Sequence, residues 1–155
     1  MKITQQLAKN LRDVYLGGNW TSSSLQQQLK DVTWQQATAK NGQINTIVAL
    51  VYHIHYYVTA QIDVLEGKPL TAKDEHSFSH PPVVNAEDWE KMVQEALADA
   101  EHAARLIEQL PDEKLSEDFS DKKYGSYYRN IAGTIEHAHY HLGQIALLKK
   151  LRIKN

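Results

Sequence analysis

Ile47, Val51, Ile54, Val58, Ile62 and Leu65 recur in steps of four or three, and that rhythm constrains the fold more than any other feature of the chain. Such steps gather side chains on one face of a helix with 3.6 residues per turn, whereas a half-buried strand repeats every second residue. The β-branched residues in this stretch would also suit a strand, but the length of the seam is helical. It predicts a helix from about Asn45 to Glu66, with Gly67 just past its end and Pro69 preventing continuation.

The rest of the chain follows the same period. Leu7, Leu11 and Val14 or Tyr15 mark a first helix over Ile3 to Leu16, ended by Gly17-Gly18. Asn19 or Thr21 is a candidate cap for a restart through Leu25 and Leu29, as one broken helix or two. Trp34 to Thr38 reads as one short turn before a loop at Asn41-Gly42. Leu70 to Val84 is the longest irregular stretch, and His80-Pro81-Pro82 excludes regular helix there. Loops of this length often cover binding sites, although a simple crossover is the plainer reading. Asn85 caps a third helix with the seam Trp89, Val93, Leu97 (or Ala96), Ala100, Ala104 and Ile107, ending near Leu110. Asp112 to Gly125 is a polar connection, and a final helix runs from about Ser126 to Leu151. The expected architecture is all-α: a four-helix bundle with one or two short extra helices, forming a single domain over residues 1–155.

Composition narrows the chemistry. A chain of 155 residues can bury about 70% of its unfolded surface without disulfide or metal staples. There is no cysteine, so any metal must be held by nitrogen or oxygen, and no thiol nucleophile comes from the chain itself. A net charge of −2 gives no electrostatic footprint for nucleic acid. No apolar run is long enough for a bilayer, and the N-terminus lacks a signal core. The expectation is a soluble cytoplasmic protein without nucleic-acid or membrane partners. Lys149, Lys150, Arg152 and Lys154 read as cations complementing the negative end of the last helix.

The final helix carries two adjacent stripes. Ile131, Ile135, Ala138, Leu142 and Ile145 form the apolar one; Thr134, His137, His141, Gln144 and Leu148 lie beside it. His137 and His141 are one turn apart, so both imidazoles can reach one ion from the same side. A third ligand is available from Val51-Tyr52-His53-Ile54-His55. Periodicity leaves the choice open: His53 shares a stripe with Leu50 and Tyr57, and His55 with Val51 and Val58. The alternative is a pair of interface histidines hydrogen-bonded to neighbours without metal. His139 faces another side, while His76, His80 and His102 look like loop or surface residues. Seven of the eight tyrosines fall between Tyr52 and Tyr57 or between Tyr124 and Tyr140, near both histidine segments. Gln144 and Tyr57 are candidates for groups that orient the ligands or the substrate.

With His137-Ala138-His139-Tyr140-His141-Leu142-Gly143-Gln144-Ile145, Leu50-Val51-Tyr52-His53-Ile54 and Pro111-Asp112-Glu113-Lys114-Leu115 in that order, the chain resembles the DinB/YfiT family of metal-dependent enzymes. The resemblance covers nearly the whole chain. Gly17-Gly18-Asn19-Trp20 and Asp31-Val32-Thr33-Trp34 are similar to a DinB-like subgroup without an assigned reaction. It implies a DinB-like four-helix bundle, often a homodimer, with nickel, zinc or a similar divalent ion held by His53, His137 and His141. It also implies a small-molecule substrate and a thiol-dependent S-transferase that uses a low-molecular-weight thiol. Two other readings stand beside it: a metal-dependent hydrolase of a small ester or amide, and a non-catalytic dimeric binding or stress-response bundle.

Overall fold

The computed structural model describes residues 1–152, the side chain of Arg152 excepted; Lys154 therefore lies outside the described residues. Six α-helices follow one another: α1 (Ile3–Leu16), α2 (Leu25–Leu29), α3 (Trp34–Thr38), α4 (Ile47–Leu65), α5 (Ala86–Gln109) and α6 (Tyr127–Arg152). Among the described residues there is no β-strand, only isolated bridges between Asn41 and Ile44 and between Asp118 and Ser126. No described helix is long and apolar enough to cross a membrane.

The helix ends lie where local chemistry puts them. Thr46 accepts from the Ala49 amide at the start of α4, and Asn85 accepts from the Asp88 amide at the start of α5. Each satisfies a first-turn N–H that has no partner inside its own helix. The stretch after Gly18 forms two separate short helices. Neither Asn19 nor Thr21 caps the first of them; Ser24 does, accepting from the Gln27 amide. Asn19 instead donates to the Asp13 and Ser23 carbonyls and so closes the turn. The start of α1 is held from a distance. Asp112 accepts from the amides of Ile3 and Thr4 and from the Thr4 hydroxyl, at 3.0–3.1 Å.

The four long helices pack in a ring: α1 on α5, α5 on α4, α4 on α6, and α6 back on α1. Their seams meet at its centre. Leu11 and Val14 of α1, Val51, Ile54 and Val58 of α4, and Ile131, Ala138, Leu142 and Ile145 of α6 are all buried. In α5 the inward residues are Trp89, Met92, Ala96, Ala100, Ala103, Ala104 and Ile107. Ala96 takes the place that the period left open between it and Leu97, and Met92 is buried where Val93 was expected; Leu97 and Val93 are both half-buried at the rim. Four small side chains let α5 lie close against both α1 and α4. The seam of α4 is wider than expected, because Val48, Leu50, His53 and Gln61 are also buried. That burial brings a second face of α4 against α6, where the histidines lie.

Candidate metal centre

His53 reaches this interface from the middle of α4, and His137 and His141 from successive turns of α6. Their ligand nitrogens all lie within 4.8 Å of one another. His137 Nε2 is 3.0 Å from both His53 Nε2 and His141 Nε2. His53 and His141 are buried; His137 is half-buried.

The outer nitrogens decide what the inner ones can do. His53 Nδ1 is 3.3 Å from the Ser77 carbonyl oxygen, and His141 Nδ1 is 2.7 Å from Gln144 Oε1. Both partners only accept, so each Nδ1 must carry its hydrogen. Each Nε2 therefore presents a lone pair towards His137 Nε2. One proton on His137 Nε2 can serve one of these lone pairs but not both, which leaves the cluster short of positive charge. A metal ion held by the three rings would supply it. Tetrahedral bonds of about 2.0–2.1 Å to imidazole set neighbouring nitrogens about 3.3 Å apart, a few tenths of an ångström from the 3.0 Å of the two pairs that His137 makes. The donor set therefore fits a divalent ion with an open position.

Burial acts in the same direction. It is the largest cause holding His53, His137 and His141 below the ordinary histidine pKa, and His137 is lowered to about 4. Mutual repulsion of the imidazolium forms adds to this at His53 and His137. At neutral pH the three rings are neutral, the form that binds metal.

His55, the other candidate on α4, faces away and bonds Asp99 of α5 at 2.7 Å. His139 is half-buried on the opposite side of α6 beside Ile135 and Trp20. His76 is exposed, and His102 pairs with Glu66. Glu136 is exposed on α6. Gln144 and Tyr57 both touch the cluster. Tyr57 packs edge-on against His53 and His137, and its hydroxyl donates to Asp74 at 2.8 Å.

The sequence reading did not anticipate the contribution of the Leu70–Val84 loop, which does more than cross over. Its 3₁₀ turn at Asp74–His76 presents the Ser77 carbonyl to His53. Phe78 then stacks on the His53 ring at 3.9 Å and an interplanar angle of 8°. A buried serine and a half-exposed phenylalanine in a polar loop carry no periodic signal; the loop's length was the only hint.

A cleft of about 600 Å³ opens on the His137 side, lined by Tyr57, Tyr124, Arg129, Gly133, Thr134 and Tyr140 among others. A second cavity of about 470 Å³ shares Tyr57, Tyr124, Asn130 and Thr134 with it and extends to Gln61. Gln61 donates to Thr134 Oγ1, and Thr134 passes its own hydrogen to the Asn130 carbonyl. The Gln61 side-chain oxygen is buried without a partner among the described residues. The histidine cluster thus adjoins a space large enough for a small molecule. Comparison with known protein families, with curated proteins and with solved structures gives no match to this chain.

Proposed function

We propose that this chain is a DinB-like four-helix bundle whose His53, His137 and His141 hold a divalent ion, nickel or zinc, for thiol-dependent S-transfer. The ring of packing among α1, α5, α4 and α6 supports the bundle. The observation that carries the function is the pair of fixed Nδ1 hydrogens, which turns the imidazole lone pairs inward on one point. An ion held there would supply the positive charge that keeps a small thiol as its thiolate at neutral pH. Transfer then forms a carbon–sulfur bond as the leaving group departs with its electron pair, and the thiol proton passes to solvent.

Two features favour a thiol over water as the nucleophile. The chain has no cysteine of its own, and no carboxylate hydrogen-bonds the three histidines among the described residues. Asp74, whose charge acts on His53, is taken by the Tyr57 hydroxyl, so hydrolysis would lack an obvious base. Ser77, Gln144 and Phe78 orient the ligands, and Tyr57 lines the cleft beside them.

Elemental analysis of untagged protein, compared with His53→Ala and His141→Ala, is the test. Near-stoichiometric metal in the parent and its loss in both variants is the expected result. A parent that holds no metal, and binds none when nickel or zinc is added, sinks the proposal. Conjugation of a small thiol to an electrophile by metal-loaded protein then separates the transferase from hydrolysis without added thiol.

A further inference from the structure

Two residues at the start of α6 are poor choices for a helix, and both line the cleft beside His137. Arg129 sits in the first turn of a 26-residue helix, where the macrodipole disfavours a cation. Its guanidinium makes no hydrogen bond to a described residue; its nearest carboxylate is Glu136 at 3.9 Å. Arg12, by contrast, is hydrogen-bonded by Glu101 and Glu108. One turn further on, Gly133 lies inside the helix, where glycine costs about 1 kcal/mol relative to alanine. No packing demands it: a Cβ there would come no closer than 3.9 Å to any neighbour, and that neighbour is Arg129 Nη1. Local choices that weaken a helix without serving the fold point to function.

The geometry joins them. Arg129, Gly133 and His137 occupy successive turns of one face, and all three line the same cleft. The guanidinium lies over Gly133, so one helical turn, about 6 Å along the axis, separates it from the level of His137. Gly133 leaves the floor between them open. A divalent ion among neutral imidazoles would add its full positive charge to that of Arg129.

We propose that the cleft selects molecules bearing a carboxylate about three bonds from the atom seated at the metal centre, with Arg129 binding the carboxylate and Gly133 providing the room. This rests on the metal reading above. The planar guanidinium fork matches a carboxylate with two parallel hydrogen bonds. Glu136, loosely paired and exposed, competes for Arg129 until the ligand displaces it.

The test uses two thiols of equal length, 3-mercaptopropionate and 3-mercapto-1-propanol. Each is titrated by calorimetry into zinc-loaded protein, with the Arg129 Nε–H signal followed by NMR. The acid should bind more tightly by up to about fivefold, the range of an exposed charge pair, and should shift the Arg129 signal. Arg129→Gln should erase the preference and Glu136→Gln should widen it. Gly133→Leu should lose both thiols while keeping zinc. Equal affinities, a preference that survives Arg129→Gln, or thiol binding retained in Gly133→Leu would overturn the inference. Protein that binds no zinc defeats the metal reading instead. In that case an Arg129 shift with propionate in the metal-free protein still supports the carboxylate site, and its absence overturns it.

Discussion

His53 and Ser77 are 24 positions apart, yet the Ser77 carbonyl oxygen lies 3.3 Å from His53 Nδ1. The carbonyl fixes which nitrogen of His53 carries hydrogen and therefore which one faces the centre. The turn that presents it is itself tied, because the Ser77 hydroxyl donates to the Asp74 carbonyl at 2.8 Å. The loop from Leu70 to Val84 thus helps to shape the histidine cluster.

Gln144 plays the corresponding part for His141, from three residues away on the same helix. Gln144→Leu keeps the bulk but removes the acceptor. Metal affinity should fall about tenfold to a hundredfold, read by competition with a chromophoric chelator. Unchanged affinity would mean that His141 does not need this partner.

Acid should destabilise the metal-free protein. His137 titrates near 4 in the folded chain against an ordinary 6.5, chiefly because of burial. Between those values the unfolded chain binds more protons than the folded one. The stability present above pH 6.5 is therefore lost as the pH falls towards 4. The slope from this residue should be smaller than the roughly 1.4 kcal/mol per pH unit of a full proton, since a half-buried ring is partly screened. Thermal midpoints of the metal-free protein at pH 7 and pH 5 measure it, and His137→Asn should flatten the difference. A variant with the parent's pH dependence would contradict the assignment.

Tyr15 is fully buried and its hydroxyl has no hydrogen-bond partner among the described residues. Burial alone pushes its phenol pKa up. Because a buried orphan hydroxyl costs free energy that phenylalanine avoids, Tyr15→Phe should stabilise the protein by about 1 kcal/mol. Urea unfolding is the measurement. A loss of stability of that size would reveal a partner for the hydroxyl, such as a buried water.

Gly143 lies on the exposed side of α6, with nothing within 4 Å of where a Cβ would stand. Gly143→Ala should raise stability by about 0.5–1 kcal/mol through helix propensity, with no effect on metal content. If thermal unfolding shows destabilisation instead, a surface of another chain packs against this glycine.

The sequence by itself determined the elements. The long seams, with caps such as Asn85 and stops such as Gly17, placed α1, α4, α5 and α6 within a few residues, because helical period and end chemistry are local. The i, i+4 spacing of His137 and His141 likewise fixed that pair, since both lie on one helix. Tertiary structure decided the rest. Between His53 and His55 the period was silent, and the packing of α4 chose: one face met α6 and the other met Asp99 on α5. Ser24 displaced Asn19 as a cap because several polar residues in one turn can each fill that role. Ser77, Phe78, Arg129 and Gly133 gained meaning only when the Leu70–Val84 loop and the start of α6 closed around the histidines. Contacts between segments far apart in the chain depend on how the helices pack, and no local pattern encodes them.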